Sequence, residues 1–208
     1  MTSIMGESIL TAKMLQGYLF SIRKEAPDFS QLFLEEGELE GVRGDLAFCQ
    51  MLLETGNLTF AGSAVTLDQY NLFGCGVLIN GQKGDSFGTP EIGVRAFIQH
   101  LKGYATEEPL VHPCVDPRYK YVVKGCAPYV EHLGIQENPI GKGWAAGVNY
   151  GSKILNIYNR VIRLYETKMP LEPDTLYRVQ VGAYSNQENA KAQVKRLQEA
   201  GFEAFITQ

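Results

Sequence analysis

The sequence predicts a mainly α-helical domain that carries a small β lobe, followed by a short β-α-β segment. Three observations predict this: helical periodicity recurs through most of the chain, glycine is frequent over residues 57–90, and a strand-like alternation begins near the C-terminus. We expect a first domain over residues 1–167, a linker over 168–175 and a small module over 176–208. The length of 208 residues allows one full core and a small appendage.

Composition and charge narrow the class of protein and of partner. The chain is 45% hydrophobic with a net charge of −4, which is ordinary for a globular protein and argues against nucleic acid as the main partner. No apolar run approaches the roughly 20 residues that a membrane-spanning helix needs. The N-terminus lacks a basic stretch followed by an apolar one, so we expect no secretory signal. We expect a monomer without a membrane span.

The cysteines do not indicate a metal site. The chain has four cysteines and no C-x-x-C pattern. Cys114 and Cys126 lie near His112 and His132, but their spacing fits no standard zinc finger. We therefore expect no metal and no cofactor.

Two helices are predicted near the N-terminus. Apolar residues recur at helical spacing over Ser8–Arg23, and Ala26-Pro27 ends this helix, because the residue before proline is disfavoured in helical conformation. Ser30 is a typical N-cap for a short helix through Leu34, which Gly37 is expected to stop.

The next helix ends on an ionisable residue. Residues Asp45–Leu53 are apolar on nearly all sides, which predicts a central buried helix opened by Asp45 and closed by Gly56. Glu54 ends it. A carboxyl group at the end of a buried helix, directly before a glycine break, is expected to face a cleft. Apolar surroundings disfavour the charged form, so we expect a raised pKa, as a general acid requires.

A glycine-rich stretch follows, over residues 57–90. Asn80-Gly81 is typical of a tight hairpin turn between strands at Gly76–Ile79 and Gln82–Phe87. We expect a loop and small β element that form the second wall of a cleft.

Helical patterns resume over Glu91–Tyr104, Pro128–Leu133 and Asn149–Thr167. After the linker, Tyr177–Tyr184 alternates as a strand does, Gln187–Ala200 has a helical face, and Phe202–Ile206 is predicted as a second strand.

Four motifs in a fixed order carry a family resemblance: Leu53-Glu-Thr-Gly56, Asn71-Leu-Phe-Gly74, Gly93–Leu101 and Asp116-Pro-Arg-Tyr119. Together they resemble the glucosaminidase catalytic domain of glycoside hydrolase family 73, whose members cleave the glycan strands of bacterial peptidoglycan. The resemblance implies a lysozyme-like fold and an endo-β-N-acetylglucosaminidase that hydrolyses the β-1,4 bond after N-acetylglucosamine at the cell wall, without a cofactor. The C-terminal segment resembles the first half of a SPOR domain, which binds peptide-stripped glycan strands, and we expect it to be truncated.

The resemblance implies that Glu54 is the general acid of glycosidic cleavage. Gln50 lies one turn earlier on the same face, where it either lines the cleft or is a buried amide. A second carboxylate, where the family uses one, comes from the lobe. Asp85 is the only acid between Gly74 and Pro90. Asp85 is equally well explained as a turn residue, in which case the substrate's N-acetyl group or a positioned water would act instead.

The remaining candidates are aromatic or amide side chains. Tyr119 matches the family's cleft tyrosine and could hold the acetamido group or the attacking water; the alternative is a core aromatic whose hydroxyl reaches solvent. Asn71 and Phe73 are expected at the cleft floor, with Asn71 bonding sugar or fixing the loop and Phe73 serving mainly as core. Trp144 is interpreted as a packing residue for the last helix.

Two other functions fit the same residues. A lytic transglycosylase needs a single acid and would release a product lighter by one water. A glycan-binding protein with a degenerate cleft would retain the fold and lack activity; the missing second acid favours it, whereas Glu54 and Tyr119 argue against it.

Overall fold

A computed structural model describes residues 1–79, 81–166, 181–202 and 204–206. The chain divides into two compact units, Met1–Lys168 and Met169–Gln208. Helices dominate the described residues, where backbone pairing between extended segments is limited to isolated bridges at Ser3–Tyr129, Met5–Val42 and Gly134–Ala145. The mainly helical fold is confirmed.

The described residues contain six α-helices. These are α1 (Ala12–Ile22), α2 (Ser30–Glu40), α3 (Gly44–Glu54), α4 (Pro90–Ala105), α5 (Tyr150–Glu166) and, in the second unit, α6 (Gln187–Glu199). Short 3-10 turns lie at Leu67–Gln69, Tyr119–Tyr121 and Val130–His132, the last where a helix over Pro128–Leu133 was predicted.

Helix α3 is the centre of the first unit, as its all-round apolar sequence predicts. Every residue of α3 from Gly44 to Leu52 is buried, and the helix contacts α1, α2, α4 and α5. Because its surface is covered on all sides, only its C-terminal end, at Glu54, is open to solvent.

The predicted end of α2 at Gly37 was wrong. The helix continues to Glu40 and ends at Gly41, whose φ of 74° is left-handed. Gly37 instead lies close to the backbone of α3, and a Cβ there would be 2.8 Å from the Cα of Gly44. Its small size therefore permits helix packing and does not break the helix.

Asp45 connects the N-terminal segment to α3. Its buried carboxylate accepts hydrogen bonds from the backbone N–H groups of Ile9 (2.9 Å) and Leu10 (3.1 Å). It also forms an ion pair with Arg43 at 2.9 Å. Asp45 thus opens α3, as predicted, and also fixes the residues that lead into α1.

A second buried ion pair fixes the chain after α4. Lys102 Nζ lies 2.9 Å from Glu40 Oε2, and both side chains are almost completely buried. Glu40 also accepts the backbone N–H groups of Val111 and His112. Burial disfavours the charge of Glu40, but the hydrogen bonds from Val111, Lys102 and His112 outweigh it and hold the pKa of Glu40 below its ordinary value. Nearby, Arg95 pairs with Glu36 at 2.7 Å.

The predicted hairpin was wrong. Residues 74–79 and 81–88 form a loop without regular strands, and Asn80 lies outside the described residues. Gly74, Gly76 and Gly84 have positive φ angles of 67°, 74° and 65°, which interrupt an extended backbone. One backbone hydrogen bond, from Asp85 N–H to the Cys75 carbonyl (2.8 Å), closes the loop.

In the second unit, α6 confirms the predicted helix, and Asn186 caps its N-terminus through a hydrogen bond from the Glu188 N–H. Residues 181–184 and 204–206, predicted as parts of two strands, are not strands. The rest of the first strand and the linker over 168–175 lie outside the described residues.

Within the part of the chain that the structure describes, no helix is long and apolar enough to cross a membrane.

Candidate active site

Glu54 lies at the exposed end of α3, where the helix stops because Thr55 leaves helical geometry and Gly56 adopts a left-handed φ of 58°. Its Oε1 accepts a hydrogen bond from the indole Nε1–H of Trp144 at 3.1 Å. The same oxygen accepts a short hydrogen bond from the Tyr150 hydroxyl. Two donors from distant parts of the sequence therefore converge on one carboxylate oxygen.

The environment of Glu54 raises its pKa. The side chain has substantial solvent-accessible surface, yet protein atoms surround the carboxyl group on most sides, as at the bottom of a cleft. Enclosure by protein disfavours the carboxylate and raises the pKa, while the hydrogen bonds from Tyr150 and Trp144 offset part of the rise. A carboxyl group with a raised pKa that remains open to solvent can give its proton to a ligand.

Gln50 and Tyr150 form a buried layer behind Glu54. Gln50 is 1% exposed, and its Nε2 donates a hydrogen bond to the Tyr150 hydroxyl at 3.0 Å. Its Oε1 has no hydrogen-bond partner among the described residues. Gln50 therefore orients the Tyr150 hydroxyl that donates a hydrogen bond to Glu54. Because Gln50 has almost no exposed surface, it lies beneath the residues that line the cavities.

Trp144 is surrounded by aromatic rings and also bonds Glu54. Its ring centroid lies 4.9 Å from that of His100, 5.3 Å from Phe97, 5.7 Å from Tyr104 and 5.9 Å from Phe73. Trp144 is a packing residue, but the rings around it belong to α4 and Phe73, whereas packing against the last helix was predicted. The prediction also omitted the indole N–H that reaches Glu54. Because the ring is fixed on several sides, this donor has a defined position.

Two adjoining cavities meet beside Glu54. The first, here called the glutamate cavity, has a volume of about 390 Å³ and is lined by Glu54 and the 55–65 loop. The second, the tryptophan cavity, has a volume of about 230 Å³ and is lined by Trp144. Gly74 and Val77 line both. Among the described residues that line them, Glu54 is the only carboxylate.

Asn71 fixes the loop that separates these cavities. Its Nδ2 donates to the carbonyls of Cys75 (2.8 Å) and Asp85 (2.9 Å), and its Oδ1 accepts the Cys75 N–H (2.8 Å). These contacts fix the loop. Asn71 also lines the glutamate cavity, and its predicted hydrogen bond to sugar stays a prediction. Phe73 is 8% exposed, lies parallel to Phe87 and lines the tryptophan cavity, so it combines core and cleft floor.

The structure does not bring Asp85 into contact with Glu54. The Asp85 carboxylate accepts a hydrogen bond from the Cys75 thiol (3.3 Å) and lies over Gly76, where a Cβ would be only 2.5 Å from it. Asp85 lines neither cavity. Its predicted role as a second carboxylate stays a prediction.

Tyr119 also lies away from Glu54. Its ring packs against Gly103 and against Lys124, whose Nζ is 2.9 Å from the ring centroid. The tyrosine two residues later, Tyr121, lines the tryptophan cavity. Sequence alone does not show which of two tyrosines in a 3-10 turn faces a cleft, and the role of Tyr119 stays a prediction.

Sequence reasoning missed the functional contacts of Tyr150 and His100. Tyr150 is the first residue of α5, and no local pattern indicates that its hydroxyl meets Glu54, 96 positions earlier. His100 lines the tryptophan cavity, and its Nδ1 lies 2.7 Å from the buried Asp116 carboxylate. The only available signal for His100 was its place in one of the four motifs.

No group of three or more His, Cys, Asp or Glu side chains is placed to hold a metal ion in the described ranges. The described cysteines are all free.

Comparison with known proteins identifies two families. The model of the glucosaminidase family, described as mannosyl-glycoprotein endo-beta-N-acetylglucosaminidase, matches residues 30–163, and the SPOR domain model matches residues 173–208. Both resemblances are confirmed. A protein of Borreliella burgdorferi, described only as uncharacterized, is 39% identical over 128 residues, which are 62% of this chain and 59% of that relative. No solved structure matches.

Proposed function

We propose, since this chain belongs to the glucosaminidase family, that it is a peptidoglycan hydrolase that cleaves the β-1,4 bond after N-acetylglucosamine, with Glu54 as the general acid. The observation that supports this best is the position of Glu54. Its carboxyl group has a raised pKa, lines the glutamate cavity, which adjoins the tryptophan cavity, and receives hydrogen bonds from Trp144 and Tyr150. A glycan strand bound across both cavities would place a glycosidic oxygen near this proton.

Cleavage in this site would begin with proton transfer. Glu54 gives its proton to the glycosidic oxygen as the bond from that oxygen to the anomeric carbon breaks, which leaves a cationic sugar. The carboxylate that forms on Glu54 keeps the hydrogen bonds from Tyr150 and Trp144, which stabilise it. Water then adds to the anomeric carbon and releases a proton, which gives a reducing N-acetylglucosamine end and returns Glu54 to its protonated form.

Several candidates exist for the group that acts on the cationic sugar after the proton transfer. Glu54 is the only acid among the described cavity-lining residues, which favours the substrate's own N-acetyl group or a positioned water at this step. For Asp85 to act as a second carboxylate, its loop would have to carry it into the cleft. Tyr119 would likewise have to reach the cleft to hold the acetamido group or the water.

A digest of purified peptidoglycan tests the proposal. Mass analysis of soluble fragments from wild type and Glu54→Gln is expected to show reducing N-acetylglucosamine ends with wild type and their loss in the variant. Absence of fragments from the wild-type protein would contradict the hydrolase and leave a glycan-binding protein.

A lytic transglycosylase is the second candidate, because that chemistry needs one acid and the described cavity lining offers one. The bond after N-acetylmuramic acid would then be the one that breaks, and a hydroxyl of that sugar would attack its own anomeric carbon in place of water. Anhydromuramyl ends, lighter by one water, would identify this activity in the same digest.

We also propose that the SPOR segment binds peptidoglycan glycans and keeps the enzyme at the bacterial cell wall. The support is the match of residues 173–208 to the SPOR domain.

The pH dependence of activity provides a separate test of the acid. Protonated Glu54 is the active form, so activity is expected to fall as pH rises through its raised pKa. In Tyr150→Phe the carboxylate loses a hydrogen bond that stabilises it, so the pKa of Glu54 should rise further. The basic limb of the pH profile is therefore expected to move to higher pH.

Tyr158→Phe is the matched control, because Tyr158 lies on the same helix and its hydroxyl accepts a hydrogen bond from Arg43. Its basic limb should coincide with that of the wild type. A limb that is unmoved in Tyr150→Phe, or moved to lower pH, would contradict the role of Glu54.

A further inference from the structure

The lining of the tryptophan cavity includes a cation, the guanidinium of Arg118. Arg118 lines this cavity, and its guanidinium lies 4.7 Å from the centre of the Tyr121 ring. Among the residues that the structure describes, this guanidinium has no ion pair or hydrogen bond with a carboxylate. The nearby Asp116 carboxylate is occupied by His100 and by the backbone N–H of Arg118.

The charge of Arg118 acts on the interior of the cavity. Burial and the negative charge of Asp116 raise the pKa of the Tyr104 phenol, and the positive charge of Arg118 opposes that rise. On the Cys75 thiol, burial, Asp85 and Asp116 likewise raise the pKa, and Arg118 opposes them. Both side chains line the cavity, and no Asp or Glu does so among its described residues. Among the described residues that line the cavity, Arg118 is therefore the only Arg, Lys, Asp or Glu side chain.

The other lining residues suit a sugar. Tyr104, Tyr121 and Trp144 present aromatic rings, on which the apolar face of a pyranose can lie. A guanidinium beside aromatic rings binds a carboxylate in preference to a neutral group, because it can donate two parallel hydrogen bonds to it.

The proposed substrate supplies such a carboxylate. In a strand of alternating sugars, N-acetylmuramic acid lies on each side of every N-acetylglucosamine. Its lactyl group ends in a carboxylate when no peptide is attached, and attached peptides carry carboxylates of their own. A cavity next to Glu54 therefore receives a muramyl residue or its direct neighbour.

We propose that Arg118 and the tryptophan cavity form a subsite that selects the carboxylate of the muramyl substituent. This inference rests on the proposed function. It adds a source of specificity: a strand with acidic muramyl groups would be cleaved faster than a neutral glycan of the same length.

The test compares two substrates that differ only in this charge. One is a preparation of peptide-free glycan strands, and the other is the same preparation after its lactyl carboxylates are converted to neutral methylamides. Wild type is expected to show a kcat/KM about 10-fold or more higher on the acidic strands, as a charged hydrogen bond contributes. Arg118→Gln should lose this preference, and Arg118→Lys should keep part of it.

Lys120→Gln is the matched control. Lys120 also lies over the Tyr121 ring, at 5.1 Å, but it is exposed and does not line the cavity. This variant should keep the wild-type preference. Strands that retain their peptides form a third arm: an Arg118-dependent preference for them over peptide-free strands would identify peptide carboxylates as the recognised group.

Equal rates of wild type on acidic and neutral strands would overturn the subsite while leaving the proposed function intact. A loss in Arg118→Gln that is the same on both substrates would also overturn it. If wild type cleaved neither preparation, the proposed function would fail, and the inference with it.

Discussion

Glu54→Gln is expected to lower kcat on peptidoglycan by about 10²- to 10⁴-fold, the usual contribution of general acid catalysis. Glutamine has nearly the same shape and keeps an oxygen that can accept the hydrogen bonds of Trp144 and Tyr150. It has no proton to give to the leaving oxygen. The loss should therefore appear in turnover, and steady-state kinetics on soluble glycan strands measure it.

The melting temperature of the same variant separates chemistry from folding. Protein surroundings disfavour the Glu54 carboxylate, so an uncharged side chain should leave the melting temperature unchanged or raise it. Glu38→Gln, at an exposed position of α2, is the control for loss of a negative charge and should keep full activity. Activity of Glu54→Gln within a few-fold of wild type would exclude Glu54 as the acid.

Lys102→Met is expected to destabilise the first unit by about 3–5 kcal/mol, because it leaves the Glu40 carboxylate buried without its cation. Glu40 would keep only the backbone N–H groups of Val111 and His112. Chemical denaturation gives the change in the free energy of unfolding. Lys13→Met, which removes an exposed lysine of the same unit, should change it by less than about 0.5 kcal/mol.

The pH dependence of stability provides a second test of the ion pair between Lys102 and Glu40. The pKa of Glu40 is lowered in the folded protein, so its contribution is present above the unfolded pKa and is lost as pH falls through the folded pKa. In Lys102→Met the lowering by lysine is absent, so the folded pKa of Glu40 is higher and this acid loss should be smaller or disappear. A variant as stable as wild type at neutral pH would contradict the importance of the pair.

Local patterns predicted the helices well, because periodicity and capping are properties of neighbouring residues. The all-round apolar sequence of Asp45–Leu53 indicated a buried central helix, and Gly56 indicated its end. The errors occurred where a residue's role depends on distant neighbours. Gly37 was interpreted as a helix stop, but it allows α2 to contact Gly44.

The glycine-rich stretch over residues 57–90 is a second case in which a local pattern gave a wrong prediction. A turn signal at Asn80-Gly81 predicted paired strands, whereas the described part of the loop is fixed by the Asn71 side chain and by the Asp85–Cys75 hydrogen bond. Extended segments pair through hydrogen bonds between backbone groups. In this loop the side-chain amide of Asn71 occupies backbone groups of Cys75 and Asp85.

For the site, the sequence by itself predicted Glu54 as the acid, because Glu54 ends an apolar helix in a family motif. It also determined the family through four ordered motifs. Only the tertiary structure decided what surrounds Glu54: Trp144 and Tyr150 reach it from 90 and 96 positions away. Likewise, the fold placed Arg118 in the adjoining cavity and Tyr119 outside it. The physical reason is that a catalytic environment consists of long-range contacts, and a local sequence pattern contains none of them.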